Sequence, residues 1–209
     1  AYATLSAGNR CMGGSCHNMV TIPRFKDQPS FMASTINVNS TGQEGCRSSG
    51  NFWAVSQAVS MRRVAINGAN LSLMDYCTAG PQYASGGFIA DSRLPFVING
   101  SQQQWLIRNS EIGGWSNGVW NQVFAGVVGA PSEEGFPNPP YTTLDTTPVS
   151  RAKPYLFIDA QGNYNVRVPS AHTNTRGITW ADGMTAGRTL PISDFFIAKP
   201  SDSVQEINN

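Results

Sequence analysis

The sequence predicts an all-β chain built as a parallel β-helix, a single-stranded solenoid with a β-hairpin and linker extension. Three observations carry that prediction. The composition is turn-rich and helix-poor: 21 Gly and 13 Pro in 209 residues, with only 13% charged, favour many turns over long surface helices. Four short apolar segments recur in the middle of the chain, and a clean hairpin pattern follows them.

The segments are "VAINGANL" (64–71), "GFIADSRL" (87–94), "WLIRNSEI" (105–112) and "QVFAGVVG" (122–129). Their last residues are 23, 18 and 17 positions apart. Each has an apolar pair near its start and carries a small or amide-like side chain in its middle: Gly68, Asp91, Asn109 and Gly126. Short strands at that interval suit a solenoid in which each coil adds one strand to each of several parallel sheets. An antiparallel sandwich, with strands every 8–12 residues, is the competing reading. "ING" occurs at Ile66–Gly68 and Ile98–Gly100, but the strand-like signal fades after each, unlike the two-residue hairpin turns that a meander favours.

Four regions follow in order. Residues 1–50 read as a loop-rich, disulfide-containing segment joined to the first β-helix, and 51–130 as its coils. Residues 131–200 read as a Pro-rich excursion, a hairpin and a linker. The excursion, 131–154, holds six Pro and reads as extended chain over a surface. "YLFID" and "NYNVRVP" then alternate in polarity around "AQG", where Gly162 can take a positive φ. "RTLPISDFFIAKP" (188–200) adds one more strand-like run. At 201–209, Ser203 and Glu206 have the spacing of a capping box, with Val204 and Ile207 starting an apolar stripe. That is the expected start of a second β-helix domain.

The chain opens "AYATLSAGNR", with neither Met nor a signal-peptide core, so a removed leader or upstream segment is expected. Cys11, Cys16, Cys46 and Cys77 are an even set that fits a secreted protein. Cys11 and Cys16 can close a small loop, leaving Cys46 with Cys77; the other two connectivities stay open. His17 beside Cys16 does not complete a zinc set, so no metal or cofactor is expected. Asn39, Asn70 and Asn99 begin N-glycosylation sequons. A net charge of +1 without a basic run argues against nucleic acid. No apolar run approaches a membrane span.

Carboxylates are the natural catalysts of glycoside hydrolysis, roughly 5–5.5 Å apart for retention and about 6.5–9.5 Å for inversion. Stacked coils bring residues to about 4.8 Å, so Glu111 and Asp91, in adjacent segments, are the candidate pair. A hydrogen-bonded strand-edge carboxylate is the plainer reading of each. Asp75, Asp145, Asp159, Asp182 and Asp194 fall in loops or turns, and Glu133 and Glu134 in the excursion. Trp105 occupies an inward repeat position. Trp115 and Trp120, in "GGWSNGVW", flank a Gly/Asn-rich turn where an indole can stack on sugar, with packing between coils as the alternative. His17 and His172 have no nucleophile elbow beside them in the sequence. Neither a P-loop nor G-x-G-x-x-G is present.

The stretches "SGGFIADSRL", "SQQQWLIRNSEIGGWSNGVWNQVFAGVVGAP", "PYTTLDTTPVSRAKPYLFIDAQGNYNVRVPSAHTNTRGITW" and "FFIAKPSDSVQEINN" resemble secreted microbial proteins with tandem pectate-lyase-like β-helices. These are similar to the glycoside hydrolase family 55 exo-β-1,3-glucanases. The resemblance covers roughly residues 50–209. It implies that the β-helices are right-handed and twinned, that "DSVQEIN" opens the second, and that this chain is a fragment of a longer one. It also implies a cleft between the helices, a polysaccharide or oligosaccharide substrate, and main catalytic residues in a second polypeptide segment. Two other functions fit the scaffold. A polysaccharide lyase wants Lys or Arg near an acidic sugar, often with Ca²⁺, and Arg62, Arg63, Arg93 and Arg108 are the local supply. A glycan-binding protein would use Trp115 and Trp120 without Glu111.

Overall fold

A computed structural model describes residues 35–38, 50–52, 59–68, 70–73, 86–99, 104–118, 121–133 and 137–208. Cys11, Cys16, Cys46, Cys77, Asn39 and Trp120 lie outside them, as do His17, Asp75 and Glu134. Two parallel sheets form the coil stack. One contains β1 (Thr35–Val38), β2 (Gly50–Phe52), β4 (Ala65–Gly68), β5 (Asn70–Ser72), β7 (Arg93–Ile98) and β9 (Glu111–Ser116). Its order is β1-β4-β7-β5-β2, with β9 on the other side of β7. The second contains β3 (Val59–Arg62), β6 (Gly86–Ala90), β8 (Gln104–Arg108), β10 (Gln122–Ala125) and β11 (Tyr141–Leu144), in the order β11-β10-β8-β6-β3. Every pairing in both sheets is parallel. The sandwich alternative is thereby excluded in favour of stacked β-helix coils.

Side-chain alternation explains the core. In β8, Trp105 and Ile107 are buried while Gln104 and Leu106 face solvent, the period-2 pattern of a strand with one covered face. Register then stacks like on like: Met61, Ile89, Ile107 and Phe124 occupy one column, and none is more than 3% exposed. Leu71, Val97 and Trp115 form the matching column of the other sheet. Burying each such side chain stabilises by roughly 1.5–3 kcal/mol, so the stack is held by repetition of one contact rather than by a single nucleus.

Two residues turn the chain from one sheet to the other in each coil. The first is left-handed: Arg63 (φ 55°), Asp91 (φ 51°), Asn109 (φ 46°) and Gly126 (φ 60°). Its N–H nevertheless continues the ladder, donating to Ala90 O, Arg108 O, Ala125 O and Leu144 O of the next coil at 2.9–3.1 Å. The second corner residue is Ser92 or Ser110, fully buried. Each hydroxyl donates to the carbonyl two residues back and accepts from the N–H of the preceding coil, Val64 or Ser92, at 3.2 Å. Stacking thus satisfies the two corner hydroxyls, as burial requires, whereas the buried Asn109 side-chain amide has no hydrogen-bond partner among the described residues.

This geometry corrects the predicted repeat in one place. Arg63, not Gly68, is equivalent to Asp91, Asn109 and Gly126; residues 65–68 belong to β4 in the other sheet. The amide-or-glycine signature failed there because an arginine takes the left-handed site. Tyr141–Leu144 is a second correction. It is a fifth coil strand, in register with β10, so the excursion between Pro131 and Pro154 returns to the stack.

Beyond the coils the pairing becomes antiparallel. β12 (Thr147–Arg151) pairs with β15 (Ala171–Thr175). β13 (Tyr155–Ile158), β14 (Tyr164–Pro169) and β16 (Gly187–Pro191) form a three-stranded sheet. The predicted hairpin is β13–β14, with Ile158 opposite Tyr164 and Gly162 at φ 91°. Asp159 closes the turn by accepting from the Gln161 and Asn163 N–H groups and from the Asn163 and Asn165 amides. Those donors, the Asn163 backbone N–H foremost, hold its carboxyl below the usual aspartate range. The strand-like run at 188–200 is shorter than predicted: after β16 comes a 3-10 turn, Ile192–Asp194, with Phe196 and Ile197 exposed. A short helix, α1 (Val204–Asn208), carries the capping box: Ser203 N–H donates to Glu206 Oε2 at 2.7 Å and Glu206 N–H to Ser203 Oγ at 3.3 Å.

Candidate functional site

The two candidate carboxylates sit at the same edge of the stack, where linker residues 175–185 cross the corners. Asp91 is the left-handed corner residue between β6 and β7. Its side chain is 7% exposed, and its Oδ2 lies 2.7 Å from Arg63 Nη1 of the preceding corner. Both carboxylate oxygens also accept from the linker: Thr179 N–H reaches Oδ1 at 2.6 Å and Thr179 Oγ1–H reaches Oδ2 at 2.8 Å. Trp180 Nε1–H donates to the Asp91 backbone carbonyl at 2.8 Å.

Arg63 completes the cluster. Its Nη1 donates to Thr185 Oγ1 at 2.7 Å, and its Cζ stands 4.1 Å over the Tyr155 ring. Burial raises the Tyr155 phenol above its ordinary value, with the Arg63 charge opposing that shift. One ion pair thus ties two coil corners to three parts of the linker. The carboxylate is satisfied on every side, as a desolvated pair requires. Asp91 is thereby a positioning residue, holding Thr179 and Trp180 against the stack.

Glu111 is placed differently. It opens β9, and its Oε2 accepts from Arg93 Nε at 2.7 Å, with side chains 32% and 44% exposed respectively. Arg93 in turn lies 5.4 Å over the Trp180 ring. Asp91 and Glu111 are therefore joined through Trp180 and Arg93, each neutralised by its own arginine. Glu111 is the one that solvent reaches. Gly177 passes beside it: a Cβ there would stand 3.8 Å from Glu111 Oε1, and its N–H donates to Gly126 O at 2.8 Å.

The tryptophans divide as well. Trp105 is core, as the repeat position indicates, at 1% exposed. Trp115 is also core rather than a sugar platform. It is 9% exposed, meets Phe124 edge-on at 5.2 Å, and gives its Nε1–H to Asn117 O at 3.1 Å. Its expected exposed indole is corrected by the register that sets it over Val97. Among the sequons, Asn70 is exposed on β5 and Asn99 is wholly buried. His172 lies opposite Ser150, whose hydroxyl is 2.9 Å from that of Thr175.

Sequence reasoning missed Arg63, Tyr155, Thr179, Trp180 and Thr185 as one unit. Their contacts join residues about a hundred positions apart, and no local pattern marks them. Among the described residues, no three His, Cys, Asp or Glu side chains gather as metal ligands.

No family model matches the chain. It is 48% identical over 159 residues to an exo-beta-1,3-glucanase of Streptomyces sp. (strain SirexAA-E / ActE), an alignment covering 76% of this chain and 25% of that protein. The solved structure of sacteLam55A from Streptomyces sp. SirexAA-E is similar with a TM-score of 0.68 and 49% identity, covering 77% of this chain and 28% of that one. A variant of sacteLam55A in complex with glucose gives the same TM-score at 47% identity. The chain spans about a quarter of the length of these relatives. The exo-β-1,3-glucanase resemblance read from the sequence is the one that these comparisons return.

Proposed function

We propose that this chain supplies the coil stack and linker of a secreted glycoside hydrolase that cleaves β-1,3-glucan from a chain end. The observation that carries the reading is the 48% identity over 159 residues to an exo-beta-1,3-glucanase. In this reading the stack is one half of a twin β-helix, and a second segment completes the cleft and brings the main catalytic carboxylates. Asp91 acts as a positioning residue. Glu111, exposed and held by Arg93, is this chain's candidate for contact with the sugar or for a share of the acid–base chemistry. Trp120, just after the β9 strand, is its candidate stacking platform.

The test is to incubate the intact natural protein with laminarin, pectin and alginate, following both new reducing ends and ultraviolet absorbance of unsaturated sugars. Reducing ends from laminarin without absorbance are expected. Absorbance from pectin or alginate would replace the hydrolase with a lyase, and silence in all three would leave a glycan-binding role.

A secreted origin makes a separate, local prediction. Expressed in a glycosylating host, the chain should carry a glycan at Asn70, whose side chain is exposed, and none at Asn99, which is 0% exposed. Enzymatic deglycosylation followed by peptide mass mapping reads this directly, since a released glycan converts its Asn to Asp. Occupancy at Asn99 would mean that the residue following β7 is not buried as described.

A further inference from the structure

The four arginines near the coils do not have equal fates. Arg63 is neutralised by Asp91 and Arg93 by Glu111. Arg62 and Arg108 are paired with no carboxylate among the described residues, and the buried Nε of each has no hydrogen-bond partner. Both project from the outer face of the second sheet, since Met61, Ile89 and Ile107 beside them point into the core. Arg62, Ala90 and Arg108 lie in register on consecutive strands. The small side chain of Ala90 between them leaves the two guanidiniums free to converge.

Phe88 sits between the same strands and takes both: Arg62 Cζ lies 4.3 Å and Arg108 Cζ 5.4 Å from its ring centroid. The aromatic ring favours a cation on its face, which orients both arginines over one spot. Partial burial, and then the Arg108 charge, lower the Arg62 guanidinium from its ordinary value. Two like charges drawn together with no carboxylate partner among the described residues favour a bound anion, and planar guanidiniums match a carboxylate in bidentate fashion. In register with Phe88, Leu106 (41% exposed) and half-buried Val123 continue an apolar strip. An apolar strip beside an oxyanion site fits a pyranose ring that bears its own carboxylate.

We propose that Arg62, Phe88 and Arg108 form a binding site for a uronate residue of an acidic polysaccharide, separate from the Glu111 edge. The guanidiniums take the carboxylate, while Leu106 and Val123 take the C–H face of the sugar.

The test titrates the intact natural protein with an oligoglucuronate, with a neutral β-1,3-glucan oligosaccharide and with sodium sulfate. Calorimetry gives affinity, and backbone amide shifts in β6 and β8 give location. The expected result is saturable oligoglucuronate binding at those strands, weakened about tenfold or more by Arg62→Gln or Arg108→Gln. Arg108→Lys should retain part of the affinity. Thermal melts check that each variant is folded, and the Lys variants of both positions serve where a Gln variant is not. Hydrolysis of laminarin should be unchanged by Arg62→Gln. Sulfate binding as tightly as oligoglucuronate, the neutral oligosaccharide binding at the same strands, or no binding at all would each overturn the assignment.

Discussion

Replacing Asp91 by alanine is expected to destabilise the folded chain by about 3–5 kcal/mol, the usual cost of removing one partner of a buried ion pair. The pair is desolvated on both sides, at 7% side-chain exposure each, so the buried Arg63 charge would lose the carboxylate that Asp91 supplies. Thr179 would lose the acceptor for its N–H and for its hydroxyl. In a domain of this size each kcal/mol lowers the melting temperature by about 2–4 °C, so the loss is readily measured. Hydrogen exchange should locate it: the Thr179 amide should lose protection before amides of the coil core do. Asp91→Asn should fall between wild type and alanine, because the amide keeps one oxygen for Thr179 and tolerates the left-handed corner. An Asp91→Asn variant with an unchanged melting temperature and abolished catalysis would sink the positioning role and restore Asp91 as a reacting group.

Phe124→Ala should cost a similar amount, about 3–5 kcal/mol. The Phe124 ring is 0% exposed and is braced edge-on by Trp115 at 5.2 Å and by Tyr141 at 6.0 Å. Those neighbours come from β9 and β11, strands fixed by their own ladders, so the cavity has little freedom to collapse. The exposed control is Val149→Ala: Val149 is 69% exposed, and the change should stay within about 0.5 kcal/mol. Equal effects of the two substitutions on denaturant midpoint would mean that the Phe124 column is not the core of the stack.

What the sequence reveals about this chain follows the range of the interactions involved. The hairpin was legible because Asp159 and Gly162 fix its turn within five residues, and the helix start because Ser203 and Glu206 cap each other. The coils were legible through repetition of an apolar-then-corner pattern at 87–94, 105–112 and 122–129. The first corner was not, since Arg63 holds a left-handed φ that residue type alone does not announce. What supports it is the ion pair to Asp91 and the contact with Tyr155, both supplied from elsewhere in the chain. β11 escaped for a related reason: "YTTL" has little apolar content of its own, and it becomes a strand because β10 offers a ready edge.

The candidate site shows the same division. Proximity of Asp91 and Glu111 to one edge could be read from coil spacing. Their different surroundings could not, because the linker that buries Asp91 and leaves Glu111 a third exposed arrives some ninety residues later. Trp115 illustrates the limit of reading local polarity: a Gly/Asn-rich turn surrounds it, yet register places its indole over Val97 and against Phe124.

The most direct test of the central claim is release of free glucose from laminarin by the intact protein, followed in time by mass spectrometry of the soluble products. A β-1,3-glucan hydrolase working from chain ends predicts glucose from the earliest time points, with saturated products throughout. Unsaturated products, or no soluble sugar at any protein concentration, would contradict it.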